Sequence, residues 1–285
     1  MNRPTQLLSS HARSRQEQAI LRADSAVAAA DRSILAVWHQ LLTLLRDSNG
    51  DPFEAQARAG IIFRPLTNRV ALTLRTQLRS LAWWSWKSAR HGLQQAIPEK
   101  LLALAVADRL YKIPESKRAL LEDEGEKPDI LDILFPAPSE SEIVHLMGTD
   151  WLEQLSHATR LAAPTTLADI VGGGMAAGKS QTEIARDLLP AVDGFRVSAR
   201  RIARTEGLRI AHAAQMHVHE QLGDLLAGYT IHATLDSRTR PAHAARDGLT
   251  WRKDLGESMQ VALKMEGPTL PDGYNCRCYL TPILI

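Results

Sequence analysis

The residues best suited to metal chemistry lie near the end of the chain. Cys276 and Cys278 are the only cysteines among 285 residues, and His243 precedes them. Thiolate sulfur and imidazole nitrogen are ligands that zinc prefers, and zinc takes four of them. We therefore predict a metal site at His243, Cys276 and Cys278, with Asp236 or His232 as the fourth ligand.

The spacing of the two cysteines sets a condition on this site. In an extended strand their side chains point to one side but stand too far apart to share a metal ion. A turn imposed by the segment 271–275 would bring them together. The alternative interpretation is that both cysteines are small buried hydrophobic residues.

Charged residues near the cysteines suggest an ion-pair cluster in that alternative. Asp236, Arg238 and Asp247 would pin the C-terminal strand, and the planar guanidinium of Arg277 would join them. The full set of predicted structural residues is Arg204, Glu206, Asp236, Arg238, His243, Asp247 and Arg277. The residue types leave the metal site and the ion-pair cluster both open.

A second motif resembles a phosphate-binding loop. Residues 173–180, GGMAAGKS, fit the pattern G-x-x-x-x-G-K-[ST]. Such a loop needs a buried strand before it, whereas residues 164–171 look like a helix. Ser180 and Glu183 also form a capping box for a new helix, which makes the glycines a helix–helix turn. We therefore set aside nucleotide hydrolysis.

A locally basic helix is the best candidate for nucleic-acid contact. Arg200 and Arg204 are four residues apart and share one face. Arg200, Arg201, Arg204 and Arg209 are predicted to contact DNA phosphates, with internal ion pairing as the alternative.

A tryptophan cluster, Trp83, Trp84 and Trp86, lies in a helix that also carries arginine and lysine. An aromatic surface flanked by positive charge would suit a docking face. Apolar helix faces more often pack inward, so we predict that the cluster belongs to a core.

Apolar periodicity predicts the elements that position these residues. Long helices are predicted over 15–45, 67–95 and 98–111. Further helices are predicted over 150–161, 164–171, 180–189 and 196–226. Extended segments are predicted over 229–235 and 276–285.

The resulting fold class is α+β, with a mainly helical N-terminal region and a compact C-terminal domain that has a few short strands. We predict a helical region over 1–113, an acidic, proline-containing linker over 114–140 and a C-terminal domain over 141–285.

The composition is that of an ordinary soluble globular protein. The chain is 45% hydrophobic and 23% charged, with a net charge of +2, as in ordinary globular proteins. Two cysteines one residue apart cannot form a disulfide framework. We expect reduced thiols, no signal peptide and no membrane helix, and therefore a soluble protein made in a cytoplasm.

Three ordered blocks carry a family resemblance. The first is Ala203-Arg204-Thr205-Glu206, within a helix. The second runs from Asp236-Ser237-Arg238-Thr239 through His243 to Asp247-Gly248. The third is Asn275-Cys276-Arg277-Cys278. Together they resemble the phage Mu F-like head morphogenesis family, over residues 168–282.

The resemblance implies a minor capsid protein that acts structurally in assembling a bacteriophage head. It implies association with the portal and major capsid proteins, several copies per virion and contact with packaged DNA. It implies no catalytic residues and no cofactor beyond a structural zinc. The alternative function is a zinc-dependent hydrolase acting on nucleic acid or peptide, with His232 or Asp236 as general base.

Overall fold

The computed structural model describes residues 3–47, 51–97, 130–161, 164–253, 270, 273 and 275–285. The helices are α1 (Arg3–Asp47), α2 (Pro52–Phe63), α3 (Leu66–Ala96), α4 (Ile130–Leu134), α5 (Glu140–Met147), α6 (Asp150–Leu161), α7 (Pro164–Ala176), α8 (Gln181–Glu220) and α9 (Pro241–Ala244). A 3-10 turn, Gly223–Leu225, follows α8. The strands are β1 (Leu226–His232), β2 (Thr250–Arg252) and β3 (Tyr279–Leu284).

The chain forms two compact units, each assembled from segments that are distant in sequence. Unit 1 comprises Met1–Ile20, Leu81–Leu146 and Leu208–Ile285. Unit 2 comprises Leu21–Ser80 and Met147–Gly207.

The sheet of unit 1 is antiparallel, with β1 at its centre and the order β2-β1-β3. Tyr229 of β1 lies opposite Trp251 on one side and Pro282 on the other. Gly228 leaves room for the backbone of β2, because a Cβ atom there would lie 2.0 Å from the Trp251 carbonyl oxygen. The close approach of β2 therefore requires glycine at position 228.

The core of unit 1 lies between the sheet and the helices. Trp86, Leu93, Phe135 and Val218 pack with Tyr229 in one buried cluster. The rings of Trp83 and Trp86 meet edge to face at 5.8 Å between centroids. The interpretation of the tryptophan cluster as part of a core is therefore confirmed for Trp86, against which Trp83 packs.

Unit 2 contains α2, a helix that the sequence interpretation missed. The Asp51 side chain caps it by accepting hydrogen bonds from the backbone N–H groups of Phe53 and Glu54, and Pro52 occupies its first turn. The helix packs against α7, where Gln56 donates a hydrogen bond to Asp169 over 2.8 Å. The available signal was Asp51-Pro52, an N-cap residue followed by a proline that suits the first turn of a helix.

Helix α8 is continuous, which corrects the prediction of separate helices over 180–189 and 196–226. Pro190 lies on its exposed face, where water can hydrate the carbonyl that lacks a helical N–H partner. On the buried face, Leu188, Val192 and Phe195 continue the apolar repeat past the proline. Packing therefore outweighs the lost hydrogen bond.

The end of the predicted acidic linker is ordered against unit 1. Residues 130–134 form α4, and Leu134 and Phe135 are fully buried in the core of this unit. The rest of the predicted linker up to residue 129, and the helix predicted over 98–111, lie outside the described residues.

The fold class is confirmed as α+β, with a long helical N-terminal region and a small antiparallel sheet near the C-terminus. No helix among the described residues has the length and apolar character needed to cross a membrane.

Candidate metal centre

The structure brings together His243, Cys276 and Cys278, three of the four residues predicted as metal ligands. All three are buried, and one ligand atom from each lies within 4.8 Å of the others. The Nδ1 atom of His243 is 3.3 Å from Cys278 Sγ and 3.6 Å from Cys276 Sγ. We call these residues the Cys–His cluster.

Local backbone geometry places each member of the cluster. Arg240 has an extended backbone, and Pro241 begins α9, a single turn that carries the buried His243. Asn275 has a positive φ of 58° and turns the chain immediately before Cys276. This is the turn that two neighbouring cysteines need if they are to converge instead of standing apart along a strand.

Hydrogen bonds from other parts of unit 1 hold the backbone that carries the cysteines. Thr234 donates a side-chain hydrogen bond to the Arg277 carbonyl over 2.8 Å, and Gln16 donates to the same carbonyl over 2.9 Å. Gln16 Nε2 also lies 3.5 Å from the Cys278 carbonyl oxygen. These contacts hold the backbone at Arg277 and Cys278.

Asp236, the predicted fourth ligand, is not part of the Cys–His cluster. Both of its carboxylate oxygens accept hydrogen bonds from the Arg277 guanidinium, and one also accepts from the backbone N–H of Arg238. The hydrogen bond from Arg277 is the main reason that the pKa of Asp236 lies far below its usual range. The Asp236 carboxylate therefore links the loop after β1 to the segment before β3.

His232, the other predicted fourth ligand, has partners of its own. Its Nε2 atom is 2.8 Å from Thr281 Oγ1, and its ring stacks on Tyr279 with centroids 5.0 Å apart. Burial lowers the pKa of His232, which favours the neutral ring. These contacts join β1 to β3.

The predicted structural cluster is only partly assembled around this site. Asp236 joins Arg277 and Arg238, while Asp247 accepts a hydrogen bond from the Ala233 backbone N–H over 2.9 Å. The remaining two predicted members, Arg204 and Glu206, belong to unit 2, where Arg204 pairs with Asp24 at 2.8 Å and Glu206 is buried.

Arginines predicted to contact DNA have partners within the chain. Arg200 pairs with Asp31 at 2.6 Å, and Arg196 reaches the same carboxylate at 3.2 Å. Partial burial alone would raise the pKa of Asp31, but the hydrogen bonds from Arg200 and Arg196 outweigh it and lower that pKa. Arg209 donates to the Leu146 carbonyl over 3.2 Å. The DNA contact stays a prediction.

The glycine-rich segment does not have the surroundings of a phosphate-binding loop. A helix, and not a strand, leads into it, because α7 runs through residues 173–176 of this segment. Lys179 pairs with Asp187 at 2.8 Å. Ser180 and Glu183 exchange the hydrogen bonds of a capping box, as predicted, with the Ser180 N–H donating to Glu183 and the Glu183 N–H to Ser180.

A buried polar group in unit 1 was not anticipated from the sequence. Arg15, His212, Gln215 and His219 are each less than 7% exposed. Burial lowers the pKa of His212 to about 4, and burial together with the charge of Arg15 lowers that of His219 to about 3. The available signal was the spacing of positions 212, 215 and 219, which share one face of a helix.

Residues 165–281 match the family model described as Phage Mu protein F like protein. The match begins in α7 and ends in β3, so it contains α8, β1, α9 and the whole Cys–His cluster. It covers less than half of the chain. No curated protein and no solved structure matches the chain.

Proposed function

We propose, from the match of residues 165–281 to the family model of phage Mu protein F-like proteins, that this chain is a structural component in the assembly of a bacteriophage head. The family match is the observation that carries the proposal. It includes all three sequence blocks described above and the elements that fold them. The role is that of a minor capsid protein located in the virion.

The contacts at the Cys–His cluster support a structural role over the hydrolase alternative. A zinc hydrolase needs a general base beside the metal-bound water. The two residues predicted as the general base have other partners. The Asp236 carboxylate binds Arg277, and the His232 ring hydrogen-bonds with Thr281. Their contacts hold strands and loops together.

We further propose that the chain associates with the portal protein of the same phage, and with its major capsid protein, through unit 2. This unit exposes large apolar side chains, which are the type of group that a protein interface buries. The most exposed are on α2, where Phe53 is 81% and Ile61 70% accessible.

Contact with packaged DNA has less support. Arg200 and Arg204 would have to exchange their partners Asp31 and Asp24 for phosphates. We therefore assign the main assembly contacts to protein partners and not to the genome.

The proposal is tested by expressing the full chain with the portal and major capsid proteins of the same phage and separating the products by sedimentation. We expect the chain to sediment with the portal or with heads. A chain that stays at the top of the gradient while heads assemble would contradict the proposal.

A matched pair of variants tests the contact surface. The double variant Phe53→Ser/Ile61→Ser is expected to lower the bound fraction about tenfold, because anchors buried in an interface commonly contribute more than about 1 kcal/mol each. Val144→Ser removes an exposed apolar side chain from unit 1 and serves as the control. Equal binding of both variants would exclude α2 as the contact surface.

A further inference from the structure

We infer that the Cys–His cluster binds one Zn²⁺ ion through His243 Nδ1, Cys276 Sγ and Cys278 Sγ. The site is independent of the proposed role of the chain in a phage head.

The separations of the three atoms are those of tetrahedral zinc ligands. With Zn–S near 2.3 Å and Zn–N near 2.0 Å, a tetrahedral nitrogen–sulfur pair is about 3.5 Å apart. The two nitrogen–sulfur distances in the structure are 3.3 and 3.6 Å. The sulfur atoms lie within 4.8 Å of each other. They need to approach by about 1 Å at most to reach the tetrahedral value of about 3.8 Å.

Hydrogen bonding alone does not account for this arrangement. A ring nitrogen carries either one lone pair or one proton, so it forms one good hydrogen bond. Here both sulfur atoms lie within bonding distance of the same Nδ1 atom. Two sulfur atoms and one imidazole nitrogen that converge on one point suit a metal ion, because the ion bonds to all three atoms at once.

The charge of the occupied site is balanced. Two thiolates and a neutral imidazole neutralise one Zn²⁺ ion, so the occupied site can be buried without a net charge. Arg238, Arg240 and Arg277 line the cleft next to the sulfur atoms.

Polar side chains line the rest of the cleft beside the cluster. Besides the cluster and the three arginines, these are Thr234, Thr239 and Asn275. None of the described residues that line the cleft is a carboxylate or a second histidine.

Zinc at this point would connect two segments that flank β1. His243 belongs to α9, in the loop after β1, and the cysteines lie directly before β3. The ion would hold the C-terminal strand against the centre of the sheet. We expect its main effect to be on the stability of unit 1.

The first test is cobalt substitution in the full chain. The reduced protein is stripped with a chelator and titrated with Co²⁺ and then with Zn²⁺. We expect a thiolate-to-cobalt charge-transfer band and intense visible bands that saturate at one equivalent and disappear when Zn²⁺ is added. Absence of these bands in reduced, folded protein would overturn the inference.

Variants assign the ligands. Cys276→Ser and Cys278→Ser are each expected to lower zinc content, measured by elemental mass spectrometry, from about one equivalent to near zero. Asp236→Asn and His232→Gln change the two neighbours that we exclude as ligands, and they should keep the metal. Zinc retained by both cysteine variants would contradict the assignment.

A third measurement does not depend on whether the cysteine variants fold. In the wild-type chain, one equivalent of Zn²⁺ should slow alkylation of both thiols at least tenfold. Unchanged alkylation rates would contradict zinc coordination by the cysteines.

Discussion

The Nδ1 atom of His243 lies 3.3 Å from the Sγ atom of Cys278, although 35 residues separate them. The contact joins the loop that follows β1 to the segment that precedes β3. Hydrogen bonds from Thr234 and Gln16 to the Arg277 carbonyl hold the same segment. The C-terminal strand is thus fixed by side chains as well as by its pairing with β1.

Metal removal should destabilise the chain. A ligand present at about 100 times its dissociation constant stabilises the folded state by about 2.7 kcal/mol, so adding a chelator should lower the melting temperature by several degrees. Differential scanning calorimetry gives the measurement. The Cys276→Ser/Cys278→Ser double variant is the control, since the chelator should not change its melting temperature. Equal melting of the wild-type chain with and without chelator would argue against a bound ion.

Asp236→Asn should destabilise the cleft loop and weaken the acid sensitivity of unit 1. The pKa of Asp236 in the folded chain lies far below the value of about 3.9 for an unperturbed carboxyl. Its contribution is therefore fully present above pH 4 and is lost as the pH falls towards the folded pKa. Unfolding by denaturant at pH 7 and pH 3 measures this difference. Glu153→Gln, on the exposed face of α6, is the control and should show neither effect.

Arg200→Ala should lower the stability of unit 2 by about 1 kcal/mol. The substitution removes the ion pair between the Arg200 guanidinium and the partly buried Asp31 carboxylate. Urea denaturation of the variant and the wild type gives the value. DNA affinity should not change. If the variant instead keeps its stability and lowers the salt dependence of DNA binding by about one unit, Arg200 contacts a phosphate.

Acid should also destabilise unit 1 through its buried histidines. Burial and the charge of Arg15 lower the pKa of His219 to about 3, whereas an unfolded chain titrates near 6.5. The unfolded state binds the proton first, so stability is full above pH 6.5 and falls between pH 6.5 and 3. His219→Phe, which keeps an aromatic ring beside Tyr229, should reduce this loss.

The control for this pH dependence is His145→Gln, because His145 is exposed. Melting temperatures at pH 7 and pH 5 make the comparison. If wild type, His219→Phe and His145→Gln all lose the same amount between these pH values, then His219 does not carry the effect.

Two glycine substitutions should have opposite signs. Gly228→Ala places a Cβ atom 2.0 Å from the Trp251 carbonyl oxygen, so β2 should separate from β1 and unit 1 should lose several kcal/mol. Gly173→Ala adds a Cβ in open space inside α7 and should stabilise the helix by about 0.5–1 kcal/mol. Thermal melting of both variants measures the two changes in stability. A neutral Gly228→Ala would mean that the pairing of β1 and β2 is not tight at this position.

Elements with a long apolar repeat could be predicted from the sequence, and short ones could not. The period of 3.6 predicted α3 to within one residue at each end, but it placed the start of α1 twelve residues late, and alternation placed β1 three residues late. Strand β2 has three residues, Thr250–Arg252, which is too short for any period to show. The two helices predicted in place of α8 came from giving Pro190 more weight than the apolar spacing around it.

The site was predictable in its residue types but not in its pairings. Cysteine and histidine are uncommon and specific metal ligands, so His243, Cys276 and Cys278 could be grouped by residue type alone. Carboxylates and arginines are common, and their partners depend on proximity in the fold. The sequence placed Asp236 and Arg277 in one predicted ion-pair cluster, but which carboxylate Arg277 binds is visible only in three dimensions.

The most direct test of the proposed head-assembly role is peptide mass spectrometry on phage heads purified from cells that express this chain. We predict that the chain is present in purified heads, in fewer copies than the major capsid protein. Particles that assemble and package DNA normally, yet contain none of the chain, would contradict this role.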